Sequence, residues 1–320
     1  MKQRTFFSES EKLNKLSKLG DPLEEINKHI DWSIFVDILN KSLQKEDKGV
    51  GGRPAYEYIL LFKILILQQQ YNLSDDKMEY MINDRISFQR FLGLDMDSTI
   101  PDATTIWTFR EKLTQKGQIK ELFDKFNQQL EEQGYILRDG SIVDSTIVQK
   151  PRKHTDSYDD GAGWTKKGDQ TYYGYKDHVK VDKSSKIIVS CKVTAANISD
   201  NREIAGLIDE RDQEIYADKV YAGKNIEAAI QEKNATVKIN IHKKGRRGHP
   251  LTEEEKAENA KKTPIRVRVE HVFGHMKQAM NGTYARCKTL SRATTWIMLK
   301  NLAYNINRAA FLRDKRVITA

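Results

Sequence analysis

Two textures of hydrophobic patterning divide the chain near residue 135. Before that point apolar residues recur at helical spacing. "PAYEYILLFKILILQQQYNL" (54–73) opens on proline and carries a broad apolar face, which predicts a buried helix. "LSDDKMEYMINDRISFQRFLGL" (73–94) predicts one helix, capped by Ser74 and closed near Gly93. "PDATTIWTFREKLTQKG" (101–117) starts a helix at Pro101 and Asp102 and stops it at Gly117. A last helix covers roughly 118–133, and the short linkers predict a bundle. Two of these helices fit a helix-turn-helix-like DNA reader, with the one after Pro101 entering a groove, as well as they fit a plain bundle.

After Gly134 the runs shorten. "SIVDSTIVQ" (141–149) reads as a strand and "SYDDGAGWTKKGDQ" (157–170) as a polar loop. "YYGYKDHVKVD" (172–182) and "KIIVSCKVTAAN" (186–197) read as two strands turning at Lys183–Ser185. Asp200 is the expected cap of a helix over 200–211. A strand over 214–221 ends in Asp218, and a helix (223–234) and a strand (235–241) follow. Residues 252–281 are expected to be helical apart from a break near Pro264, and 291–312 are helical again. The order predicts an α/β chain: an all-α domain, residues 1–135, then a domain of strands and helices, residues 136–320.

Composition narrows the class. A hydrophobic fraction of 38% over 320 residues supports a packed core. No run of about 18 apolar residues occurs, so no membrane span is expected. The N-terminus lacks the apolar centre of a signal peptide, which favours a cytoplasmic, nucleoid-associated protein. Two cysteines supply neither a disulfide framework nor a zinc site unaided. A net charge of +9 points to a polyanionic partner, most simply DNA. The basic residues cluster in "KPRKH" (150–154), "HKKGRRGHP" (242–250) and "KKTPIRVR" (261–268). Each alone reads as a solvated loop; together, flanking acidic candidates, they suit phosphate neutralisation.

Those candidates begin with Asp144, a carboxylate inside an apolar strand. A buried charge needs a partner, a hydrogen bond or a metal. The strands bearing Asp144 and Asp218 can lie side by side. In "PIRVRVEHVFGHMKQAM" (264–280), helical spacing puts Arg266, Glu270 and Lys277 on one stripe, while Val269, Val272, Phe273 and Met276 can dock the helix on the sheet. Three converging carboxylates suit a pair of Mg²⁺ (or Mn²⁺) ions, which serve in-line phosphoryl displacement. The plainer alternative has Asp144 capping a strand end and Glu270 paired with Arg266.

With these residues in place the chain resembles a DDE transposase of the bacterial insertion-sequence family called IS-five. "LSDDKMEYMINDRISFQRFLGL" and "PDATTIWTFREKL" are similar to its helical N-terminal part. "IVDSTIV", "YGYKDHVKVD", "VTAANISDN", "YADKVYAG" and "RVRVEHVFGHMK" are similar to its catalytic part. The resemblance implies an RNase H-like mixed-sheet domain, with Asp144, Asp218 and Glu270 as metal ligands. It also implies an enzyme that binds terminal inverted repeats, cleaves element ends and joins the 3′ ends to target DNA, as at least a dimer, with no small-molecule substrate. Arg266, Glu270 and Lys277 match the spacing of the family's Tyr-Arg-Glu-Lys signature, but Thr263 stands at the tyrosine. Asp218-Lys219-Val220-Tyr221 replaces the usual Asp-Lys-Gly-Tyr. Expected DNA contacts are Arg266, Lys277, Lys219, Arg152, Lys153, Arg246 and Arg247. The alternatives are an RNase H-like nuclease that does not join, and a non-catalytic DNA-binding relic.

Three further residues invite roles. His178 suits a general base or, more commonly, a structural histidine. Trp164 suits stacking on a base or anchoring a loop. Asp177 and Asp182, five apart on a strand, face opposite ways and make no metal pair.

Overall fold

The computed structural model describes residues 8–43, 56–95, 97–150, 161–245 and 248–315. Two compact units form: one holds the residues up to Lys125 and those from Ile306 onward, the other is Phe126–Asn305.

The first unit is helical. Its elements are α1 (Ser8–Leu19), α2 (Pro22–His29), α3 (Val36–Leu43), α4 (Tyr58–Tyr71), α5 (Asp75–Asp84), α6 (Ile86–Leu92), α7 (Ala103–Lys116) and the start of α8 (Ile119–Glu132), the helix expected over 118–133. Helix α4 is apolar on nearly every side, so it forms the centre, with Phe62, Ile64, Leu65, Ile66 and Leu67 fully buried. Its buried Gln68 donates to Asp75 (2.7 Å), and Arg110 from α7 forks onto the same carboxylate (2.7 and 2.8 Å).

Ser74 caps α5 and Asp102 caps α7, the latter accepting from Thr105 N at 2.7 Å. The expected single helix over 73–94 is two, because Arg85 is extended (φ −106°, ψ 109°). The break lets its guanidinium lie over Tyr71 and Phe88 at 5.3 and 4.8 Å, a tertiary contact that overrides helix continuity.

The second unit is built on six strands among the described residues: β1 (Ser141–Gln149), β2 (Gly163–Lys167), β3 (Gln170–Asp182), β4 (Ile188–Ala195), β5 (Glu214–Ala217) and β6 (Lys238–Ile241). Strand β3 pairs antiparallel with β1 along one edge. Its outer edge holds β2 over 170–174 and β4 over 175–181. Strands β5 and β6 continue parallel beyond β1. The resulting order, β4-β3-β1-β5-β6 with an added β2, is the mixed sheet of an RNase H-like fold.

One face carries a core of Val143, Ile204, Leu207, Ile215, Ala217 and Tyr221, with Ile230 of α9 (Lys224–Lys233). The other face packs Val148, Tyr175 and Val193 against Ala293, Trp296 and Ile297 of the helix α11 (Leu290–Asp314). Asn305 accepts from Ile188 N (2.9 Å) and donates to Ile188 O (2.8 Å), fastening that helix to β4.

Further expectations fail for physical reasons. Residues 200–211 form not a helix but two 3-10 turns, Asp200–Arg202 and Ile204–Leu207. Asp200 is not a helix cap; its carboxylate faces Lys176 Nζ at 3.0 Å. The "loop" 157–170 contains β2, whose pairing with β3 was invisible to a pattern broken by Gly163, Gly168 and lysines. The expected break at Pro264 is absent: α10 runs unbroken from Glu253 to Gln278. Proline there forfeits one backbone bond. A capping box at Thr252 and Glu255, and burial of Val269, Val272 and Phe273, outweigh it.

Gly174 sits where β3 passes from pairing with β1 and β4 to pairing with β2. Its φ is +154°, and a Cβ there would meet Val148 O at 2.3 Å and Lys150 N at 2.9 Å. Gly174→Ala is therefore expected to destabilise the fold by about 1–3 kcal/mol, measurable by denaturant unfolding.

Candidate active site

The parallel ladder between β1 and β5 aligns Ser141 with Ile215, Ile142 with Tyr216 and Val143 with Ala217. The next residue of each segment is an acid. Asp144 lies within β1, and Asp218 directly follows the last residue of β5, so the two stand side by side, about 5 Å apart in backbone. Strand β5 stops there, and Asp218 leads into a 3-10 turn, Lys219–Tyr221, held by Tyr221 N donating to Asp218 O (3.0 Å).

The third acid arrives on α10, which packs across β1 and β5 on buried Val269, Val272, Phe273 and Met276. Glu270 lies on its open side. Arg266, one turn earlier, donates through Nη2 to Glu270 Oε1 at 2.7 Å, and its Nη1 lies 3.9 Å from Asp144 Oδ2. The pairing of Arg266 with Glu270 read as the plainer alternative is present, and it reaches Asp144 as well.

Asp144 accepts from Ser145 N at 2.7 Å. Burial pushes its pKa up to about 6; the Ser145 N–H and Arg266 oppose this, while Asp218 and Asp200 add to it. A partly buried carboxylate near two more acids, with one arginine beside it, is short of positive charge. Such hard oxygen donors fit a divalent cation. In this arrangement the three acids do not form a tight cluster. Among the described residues the only set of metal-capable side chains with donor atoms within 4.8 Å of one another is Glu25, His29 and Asp314, in the helical unit. Glu25 and His29 there are helix neighbours four apart (3.4 Å), and Lys28 shares Glu25.

The expected DNA contacts sort by position. Lys219 is exposed directly after Asp218. Lys277 is exposed on α10; partial desolvation lowers its pKa, the charge of Lys167 adds to this, and Asp144 opposes it. Arg152, Lys153, Arg246 and Arg247 fall outside the described residues.

Asp200 and Tyr221 were missed as neighbours of the acids. Tyr221 is buried, and its hydroxyl pKa is raised by burial and by Asp144 and Asp200. Asp200 read as a helix cap because nothing local distinguishes it. His178 is buried, with Nε2 on Thr194 Oγ1 at 2.9 Å, and burial lowers its pKa, which fits the structural reading. Asp177 and Asp182 serve separate ends. Asp182 accepts from Ser184 N and Ser185 N in the β3–β4 turn. Asp177 accepts from Asn301 at 3.1 Å, and burial raises it to about 7. No helix among the described residues is long and apolar enough to cross a membrane.

Comparison with known proteins completes the picture. Residues 136–306 match the family model described as a transposase DDE domain, and residues 11–112 the one described as a transposase domain (DUF772). Among solved structures, a chain of the cryo-EM piggyBac transposase synaptic complex with hairpin DNA is similar at 14% identity and TM-score 0.47, over 94% of this chain and 77% of that one. A chain of the crystal structure of a pre-cleavage Mos1 transpososome is similar at 10% identity and TM-score 0.25, over 86% and 82%. The family matches carry the assignment, since the first covers more than half of the sequence. The chain belongs to the DDE transposase family.

Proposed function

We propose that the chain binds the terminal inverted repeats of its own insertion sequence, cuts at their ends and joins the 3′ ends to target DNA. The observation that supports this most is the register bringing Asp144 beside Asp218, with Arg266 linking Asp144 to Glu270. Asp144, Asp218 and Glu270 would hold two Mg²⁺ ions, which supply activation of the attacking oxygen and neutralisation of the leaving one. Arg266 would release Glu270 and turn its fork to a non-bridging phosphate oxygen. Lys277 and Lys219 neutralise neighbouring phosphates. Arg152, Lys153, Arg246 and Arg247 would add further phosphate contacts.

In the helical unit, α7 presents Thr104 and the half-exposed Trp107 to solvent, a face suited to reading the end sequence. Both ends must be processed together, which calls for at least a dimer on DNA, in the compartment that holds the chromosome.

The test is a supercoiled plasmid carrying both element ends, incubated with purified protein, Mg²⁺ and target DNA. Joined products with the element's 3′ ends in target DNA are expected. Cutting without joining would leave a nuclease; binding without cutting would leave a DNA-binding relic.

A further inference from the structure

Strand register extends the catalytic face beyond the three acids. Side chains of a strand alternate between faces, and directly paired residues share one. Asp144 pairs with Val179 on β3, so Val179, Asp177, Tyr175 and Tyr173 continue the face that bears Asp144. Tyr173 pairs with Trp164, and Thr171 with Lys166, carrying the face onto the hairpin of β2 and β3. That hairpin closes at Gly168 (φ +61°) and Asp169, and residues 166–171 are all exposed.

Trp164 is 50% exposed, with its ring against Tyr173 at 4.9 Å. Trp164 sits near the base of the hairpin, and Lys166 and Lys167 follow it toward the turn. An aromatic side chain beside exposed cations has the composition of a nucleic-acid contact. The tip also belongs electrically to the site. The Lys167 charge is felt at Lys277, which in turn feels Asp144. Asp169 is the one acid of the tip, set at the turn beyond both lysines.

We propose that the β2–β3 hairpin is a second DNA-contacting surface of the active site, with Trp164 packing on sugars and Lys166 and Lys167 on phosphates. This rests on the reading of the site as one that cuts element-end DNA. Six residues of β3 separate Val179 from Tyr173, which is about 20 Å along the strand. At ~3.4 Å per base pair, the hairpin meets the duplex about six base pairs from the scissile phosphate. Contacts to sugars and phosphates carry no sequence information directly, so they serve grip and register rather than readout.

The experiment uses the full-length protein and duplexes made from the DNA immediately flanking the coding sequence on either side. A benzophenone amino acid replacing Trp164 is expected to cross-link within about six base pairs of the cut. Trp164→Ala is expected to weaken duplex binding about ten- to a hundred-fold. The double variant Lys166→Gln/Lys167→Gln is expected to reduce the slope of log affinity against log salt by about two. All three positions are solvent-facing, and unchanged melting temperatures confirm folded variants.

A wild type that cuts the duplex while the variants match it in affinity and salt slope, with no cross-link, overturns the hairpin proposal alone. A wild type that binds with the hairpin's contribution but never cuts overturns the cleavage reading and leaves the surface. A wild type that neither binds nor cuts overturns both.

Discussion

Asp144→Asn is expected to abolish cleavage of element-end DNA, by about three orders of magnitude or more, while making the metal-free protein more stable. The two effects have one origin. Asparagine keeps the shape and can still accept from Ser145 N, but it cannot supply a charged ligand. The aspartate is strained without a cation: burial first, then Asp218 and Asp200, raise its pKa to about 6 from an unfolded value near 4. Between those values the unfolded chain has released its proton and the folded chain has not. Stability of the metal-free protein therefore falls as pH rises from about 4 to about 6, and stays reduced above.

Removing the charge should recover on the order of 1–3 kcal/mol at pH 8 and little at pH 4. Cation binding opposes the same proton, so cleavage by the wild type should decline as pH drops through about 6. Melting curves at both pH values, paired with a cleavage assay, check the two halves together. An inactive variant with unaltered melting at pH 8 would mean that the carboxylate is not under strain.

Asp212→Ala is expected to cost about 3–5 kcal/mol, the largest stability loss from any single polar substitution in the mixed-sheet unit. Lys180 of β3 is fully buried, with its ammonium 2.7 Å from Asp212 and 3.2 Å from Asp209. Asp212 also accepts from Asp209 N and Ser141 Oγ. Asp209, though partly buried, is held near pKa 2, chiefly by Lys180, with help from Arg211 N–H and Arg138.

Alanine at 212 leaves a buried cation with one remaining, half-exposed partner. The double change Lys180→Met/Asp212→Leu removes both charges and should return most of the loss, because a buried ion pair adds little over apolar packing of similar volume. Urea unfolding of the two variants tests this. A single variant as stable as wild type would show that Asp209 alone compensates the lysine.

How far the chain could be read from its residues depended on whether each signal was local. Asp102 and Gly117 bound α7 because capping and the left-handed stop are short-range chemistry, and both hold. Strand β1 was legible from its run of apolar and β-branched residues. The same patterning could not show that Arg85 would break a helix, since the two rings that draw it out come from α4 and α6. Nor could it place β2, whose exposed lysines carry no apolar alternation.

The acids divide in the same way. Asp144 stood out as a charge in an apolar strand, and Glu270 shared a helical stripe with Arg266. Asp200 gave no signal, because its approach to Asp144 depends on a turn packed against the one after Asp218. The guanidinium between Asp144 and Glu270 was foreseeable only in part: helix spacing gives the pair with Glu270, but only the docking of α10 on β1 brings Arg266 to 3.9 Å from Asp144.

The most direct measurement is anomalous diffraction from crystals of the protein with element-end DNA and Mn²⁺. Manganese peaks are expected with oxygens of Asp144, Asp218 and Glu270 at about 2.1 Å and with Arg266 released from Glu270. Manganese bound away from these side chains, with the Arg266–Glu270 pair intact beside the scissile phosphate, would contradict the assignment of the three acids to catalysis.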